Sequence, residues 1–212
     1  RRVLVRPPLS WGMTLDGLVS RLNLSAEDRY LFSGSATQEK PVELPDTMLD
    51  GDATHAGLRQ LVDERRQADI GANGLGRLDV TSPATDTVTV DEQAGIFGFK
   101  MTGVTSGLSG ATATGPTGAP ASMSVQFGAS QPVAGETISV DFDLPDGTAT
   151  SVTRTATTDD PPAEGQFTIG ANAADTAANF QASLTASLKS EAATSLRAAS
   201  SVQAANEFFD FD

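Results

Sequence analysis

The 212-residue chain has no cysteine, one histidine, one tryptophan and one tyrosine. The missing cysteines exclude disulfides, thiolate nucleophiles and sulfur-ligated metals together. A single imidazole leaves a histidine metal site or a catalytic triad short of partners. Bases are scarce as well: 14 Lys and Arg stand against 27 Asp and Glu, a formal net charge of −13. Such a surface repels phosphate backbones, which argues against nucleic-acid binding. It also suits a molecule that stays soluble at high local density. No apolar run reaches about 18 residues, so no membrane-inserted helix is expected. Aromatic residues make up 6% of the chain, which predicts a core built largely from Leu, Val, Ile and Ala. The basic start, Arg1-Arg2-Val3-Leu4-Val5-Arg6-Pro7-Pro8, lacks the apolar centre of a signal peptide. With no initiator Met, the chain is expected to be a fragment or a processed product.

The charge that is present is unevenly spread. Residues 1–79 hold 12 acids and 10 bases; residues 80–212 hold 15 acids and 4 bases. The change near residue 80 predicts a boundary. Residues 1–79 read as a helical stem and junction, and 80–212 as an acidic, β-rich outer domain. The fold class expected is α+β: an antiparallel β-rich domain with a helix packed on the sheet, plus a short helical stem.

Local patterns fill in this outline. Leu15, Leu18, Val19 and Leu22 make one apolar stripe, predicting a helix over 12–24. Residues 30–33 (Tyr-Leu-Phe-Ser) read as a short strand closed by Gly34, and 34–53 as a polar loop. Thr54 is placed as the N-cap of a helix over about 55–69, ended by Ile70-Gly71. From Leu78 the period falls to two. Strands are expected around Leu78 and Val80, Val88 and Val90, Phe97 to Met101, and Met123 to Phe127. Residues 105–120 (TSGLSGATATGPTGAP) read as a flexible loop. A hairpin is expected from 138–143 and 149–156 around Leu144-Pro145-Asp146-Gly147. Residues 167–169 form a short strand. A helix over 174–190, capped by Asp175 or Thr176, carries Ala177, Phe180, Leu184 and Leu188 on one stripe. Residues 195–202 read as a strand returning to the sheet.

Residues able to carry chemistry are few. His55 reads as a polar residue in the first turn of a helix. Asp141, Asp143 and Asp146 offer oxygens for Ca²⁺, but without the glycine and closing glutamate of a calcium loop; solvent-facing carboxylates beside a turn are the ordinary reading. Glu64 and Asp69 could be taken as a glycosidase pair, and helix-surface charges beside Arg65 and Arg66 account for them. Gly71, Gly74 and Gly76 follow a helix instead of preceding one, so they read as a C-cap and bend, not as a phosphate cradle. Trp11, Phe208, Phe209 and Phe211 read as packing or interface residues. No G-x-S-x-G elbow exists. The expectation is a protein that is not an enzyme, with no catalytic, cofactor-binding or metal-binding residues.

One stretch is more specific. Leu22-Asn23, Asp28-Arg29-Tyr30-Leu31-Phe32-Ser33-Gly34-Ser35-Ala36-Thr37 and Lys40-Pro41-Val42 resemble the start of the middle region of bacterial flagellins and hook–filament junction proteins. The order of later segments agrees: 57–69, Gly74-Leu75-Gly76-Arg77-Leu78, Phe97-Gly98-Phe99-Lys100, and 165–180. The last resembles an alphaproteobacterial flagellin-like subgroup, and the likeness covers most of residues 15–209. It implies a non-catalytic structural subunit of the bacterial flagellum, exported without a cleavable signal peptide and displayed outside the cell. Its partners would be other flagellar subunits, joined through terminal helices that this chain lacks. The alternative is an adhesin-like or phage-tail-like module for a glycan or protein, marked by exposed aromatics beside a groove.

Overall fold

The computed structural model describes residues 10–210, with side chains from residue 16 onward. The chain divides into two compact units between Leu61 and Val62. The division falls inside a helix, and the composition change near residue 80 lies within the second unit.

The first unit contains α1 (Ser10–Leu22), a two-residue hairpin of β1 (Ser25–Ala26) and β2 (Arg29–Tyr30), and α2 (Pro45–Asp50). The hairpin turns through Glu27 and Asp28, both at positive φ. That backbone form matches the right-handed twist of paired strands. Strand character stops at Tyr30, shorter than the expected 30–33. The polar stretch 34–53 is not all loop, because Pro45 opens α2 at a position where its missing N–H costs nothing. Asn23 holds the intervening loop with two bonds to Val42: its amide donates to the carbonyl at 2.8 Å, and its oxygen accepts from the N–H at 3.2 Å.

Helix α3 (Leu58–Ile70) starts three residues later than the sequence reading placed it. Thr54 and His55 are instead folded into a turn on Asp52. Its C-terminus is closed as expected by Gly71 at φ +69°. Arg77 adds a second closure, donating from Nε to the Ala68 carbonyl at 2.6 Å, a cation at the negative helix end.

The second unit is built on two four-stranded sheets. One has the order β3-β4-β7-β6 and the other β10-β9-β8-β5. Their strands are β3 (Leu78–Ala84), β4 (Thr87–Glu92), β5 (Lys100–Ser106), β6 (Ala111–Thr117), β7 (Ser122–Phe127), β8 (Thr137–Asp143), β9 (Ala149–Thr157) and β10 (Gln166–Thr168). Pairing is antiparallel throughout, except that β10 runs parallel to β9. The hairpin of β8 and β9 keeps the predicted alternation, with Ile138, Val140 and Phe142 buried.

Residues 105–120 are not a flexible loop: most of them form the end of β5 and all of β6. The composition misleads because β6 is an edge strand made of small residues. Ala111 and Ala113 pair with Phe127 and Val125 of β7 and pack against the core with methyl groups alone.

Helix α4 (Ala173–Glu191) packs on both sheets. Its cap is Asn172, whose side chain accepts from the Asp175 N–H at 2.9 Å; Asp175 and Thr176 lie inside the first turn. Phe180, Leu184 and Leu188 are fully buried. Polar neighbours on the same helix close the sheet edges. Asn179 and Ser183 donate to the Thr168 and Gln166 carbonyls of β10, at 3.0 and 2.7 Å. Gln181 reaches the Val80 carbonyl of β3 at 3.4 Å. Edge carbonyls that could recruit another strand are thereby occupied.

Residues 195–202 are helical, not a returning strand. After α4 comes one π turn (Ala192–Leu196) and then α5 (Arg197–Phe209). Leu184, Leu188, Ala192 and Leu196 recur every four residues, and an α-helix drifts about 40° per such step. The wider π turn takes up that drift and keeps the stripe on the core. The core is also more aromatic than composition suggests. Its five largest fully buried side chains are Phe99, Phe127, Phe142, Phe167 and Phe180. Phe127, Phe167 and Phe180 form an edge-to-face triad with centroids 5.3 to 6.4 Å apart, a favoured arrangement of ring quadrupoles.

Replacing Phe180 with Ala removes the helix's contribution to this triad. The substitution should lower the unfolding free energy by about 3–5 kcal/mol, read from urea melts followed by circular dichroism.

Candidate functional site

The first unit buries little. Among its described side chains, Val19 is the one buried hydrophobic residue, at 4% exposure. Leu22 is half-buried and Leu18 faces solvent, so the helical stripe is only partly covered. Around the hairpin, Leu24, Leu31, Phe32 and Leu44 are 52, 59, 60 and 47% exposed. Backbone bonds hold this surface in place. The Leu31 N–H donates to the Leu24 carbonyl at 2.9 Å, and the Tyr30 N–H to the Thr37 carbonyl at 2.7 Å. An isolated exposed leucine is ordinary; this unit leaves four large apolar side chains in water.

The first unit also holds the one histidine. His55 is 83% exposed and its Nδ1 sits 2.8 Å from the Thr54 hydroxyl. It belongs to the loop before α3, not to a first helical turn. Asp52 organises that loop, accepting from the Thr54 N–H, the Thr54 hydroxyl and the His55 N–H at 2.7 to 2.8 Å. These bonds, the Thr54 hydroxyl foremost, lower the Asp52 pKa from 3.8 to about 2.

In the second unit the readings of Glu64 and Asp69 part company. Asp69 is no surface charge: it is fully buried. Its carboxylate accepts from the Gly98 N–H at 2.9 Å and from Arg65 Nε at 2.9 Å. Arg65 continues to Glu207 of α5 at 2.7 Å and lies over the Phe97 ring, 5.1 Å from its centre. Burial works against the Arg65 charge, but Asp69 and Glu207 outweigh it and its pKa is raised. Glu207 is lowered, first by the Gln203 amide and also by Arg65. With Arg66 donating to the Ser201 hydroxyl at 2.9 Å, this network fastens α3 to α5. Asp69 and Arg65 sit four apart on one helix, so the pair was readable; the Gly98 amide that buries it was not.

Asp141, Asp143 and Asp146 do not converge. Asp141 and Asp143 lie on the outer face of β8, and Asp146 closes the hairpin turn by accepting from the Thr148 N–H and hydroxyl. Among the described residues no three His, Cys, Asp or Glu side chains are grouped to hold a metal, and no helix is long and apolar enough to cross a membrane. Gly71, Gly74 and Gly76 all have positive φ. A Cβ on Gly76 would overlap the Phe99 ring, so this bend is a packing requirement. The side chain of Trp11 and residue Phe211 lie outside the described residues. Phe208 and Phe209 stack edge to face at 4.9 Å. On α5, Ala198, Val202, Ala205 and Phe209 follow a 4-3-4 spacing, with Val202 and Phe209 about half exposed. These four place a short, partly exposed apolar stripe on one face of α5.

Two measurements probe this geometry. The lowered Asp52 pKa means its stabilisation is complete above pH 3.8 and is lost as the pH falls toward about 2. A carboxylate titration by NMR should place its midpoint near 2, and Thr54→Ala should move it toward 3.8; a wild-type midpoint at 3.8 contradicts the turn. Asp69→Ala leaves Arg65 without its inner partner and the Gly98 N–H without an acceptor. It should cost about 3–5 kcal/mol of stability, seen as a lower urea midpoint.

Comparison of the chain with family models, with curated proteins and with solved structures finds no match.

Proposed function

We propose that the chain is the outer portion of a structural subunit of the bacterial flagellum, a flagellin or hook–filament junction protein, and carries out no catalysis. The reading rests on the exposed hairpin surface of Leu24, Leu31, Phe32 and Leu44. Leu31 and Phe32 stand in the stretch that resembles the flagellin junction, and Leu24 and Leu44 flank its quoted segments. A small unit that leaves its largest apolar groups in water gains by covering them, at about 25 cal/mol per Å² of apolar surface buried. The exposed stripe on α5 supports the same reading, because helices of other subunits would be its natural cover.

The rest of the second unit suits display, not chemistry. Its acids are spread over strands, turns and helices, and four bases offset fifteen acids beyond residue 79. A negative exterior keeps neighbouring subunits soluble and apart except where apolar surfaces meet. In this proposal the partners are other flagellar subunits, the location is extracellular, and neither nucleic acid nor membrane is bound.

The test expresses the protein from its whole reading frame and looks for filaments, or for caps on filaments, by electron microscopy. Incorporation is expected. Leu31→Asp combined with Phe32→Asp should abolish incorporation while leaving the thermal melt of the β-rich unit in place. A protein that never joins filaments, or a double variant that assembles as well as the parent, overturns the proposal.

A further inference from the structure

Strand β9 carries a charge on the face that elsewhere feeds the core. Val152 and Ala156 are buried, at 3 and 1% exposure. Arg154 stands between them on the same face, in register with buried Ile138 of β8. Its Nε–H donates to the Thr153 carbonyl at 2.7 Å. No carboxylate of the described residues comes within the 4.0 Å of an ion pair with it. Burial depresses its pKa, and the more distant Glu164 and Glu191 only partly oppose that. A half-buried guanidinium carries five N–H donors, and those not bonded to the Thr153 carbonyl are left for solvent or a ligand.

Space for a ligand adjoins it. Arg154 lines two neighbouring grooves between β9, the loop before β10 and α4, of about 530 and 350 Å³. Both are also lined by Glu164, Gly165, Ser187 and Ser190. The planar guanidinium fork matches a carboxylate with two parallel bonds. Serine hydroxyls donate or accept as required, and Glu164 and Glu191 are acceptors for hydroxyl groups. Glu164 and Glu191, with Asp160 in the larger groove, penalise a doubly charged ligand and weaken the hold on a singly charged one. The chemistry favoured is one carboxylate on a hydroxyl-rich body.

We propose that this groove binds a sugar acid of the uronate type, its carboxylate forked onto Arg154 and its hydroxyls bonded to Ser187, Ser190 and the flanking glutamates. No aromatic side chain lines either groove, so ring stacking adds nothing and the affinity is weak. The site lies wholly within the second unit.

The experiment is an NMR titration of the ¹⁵N-labelled protein with glucuronate, glucose, acetate and glucose 6-phosphate. Glucuronate should shift the amides of 152–155 and 187–191 in a saturable way, with weaker responses to the other three. Arg154→Gln should weaken glucuronate binding by about tenfold or more, the loss expected for a charged hydrogen-bond pair. Arg154→Lys should retain part of the binding. Ser187→Val with Ser190→Ala, which leaves Arg154 in place, should weaken glucuronate but not acetate, and serves if the Arg154 variants fail to fold. The proposal is overturned if glucuronate shifts nothing in these segments, or if Arg154→Gln binds it equally. It is also overturned if acetate matches glucuronate, or if glucose 6-phosphate binds better. A glucuronate-terminated oligosaccharide that shifts the same amides as the free sugar extends the site to glycan ends; one that shifts none confines it to free acids.

Discussion

The seating of α4 between the two sheets is the constraint on which the β-rich unit depends. Phe180, Leu184 and Leu188 fill an interior that the strands alone leave open, each worth about 1.5–3 kcal/mol of transfer free energy. The polar residues interleaved with them are no less consequential. Asn179 and Ser183 occupy the β10 carbonyls while Gln181 reaches across to β3. One helix therefore fills the core and covers two sheet edges. A neighbouring strand finds the β10 and β3 edges already bonded in part.

A second constraint lies where α3 meets α5. The Asp69 carboxylate is removed from water entirely, and such a group is tolerable only when its lone pairs are taken. The Gly98 amide and Arg65 take them, and Arg65 is in turn held by Glu207 and the Phe97 ring. The other acids show a similar economy. Glu136 accepts from Ser109 and from the Val133 N–H, and those bonds, the Ser109 hydroxyl first, lower its pKa. Asp79 accepts from Asn73 and Gln93. Much of the acidity thus pins loops and turns. Arg154 differs from these acids in that its hydrogen bond goes to a backbone carbonyl, that of Thr153, and it joins no ion pair among the described residues.

Much of the architecture was readable, and the failures have physical causes. The 138–156 hairpin and the α4 stripe followed from strict periodicities of two and 3.6, and both stand. The 105–120 stretch was misread because alanine, threonine and glycine carry almost no signal of burial; β6 exists because β7 supplies its hydrogen bonds. The 195–202 stretch was misread because a π turn breaks the helical count that a periodicity search relies on. Asp69 was taken for a surface charge because burial of a carboxylate depends on an amide 29 residues away. The same limit hid Arg154, whose alternation with Val152 and Ala156 was present in the sequence but whose lack of an ion pair is a matter of spatial neighbours.

What the sequence alone determined is the chemistry available and the local order. Absent cysteine excludes disulfides and thiolate sites within these 212 residues whatever the fold, because no arrangement can supply a missing functional group. Short-range periodicity set most helices and hairpins, since their bonds join residues close along the chain. What only tertiary structure decided is who meets whom: which phenylalanines form the core, which edge strand pairs, which carboxylate is dry and which arginine faces an open groove. Those outcomes rest on contacts between distant segments, where burial and hydrogen-bond satisfaction depend on partners that no local window contains.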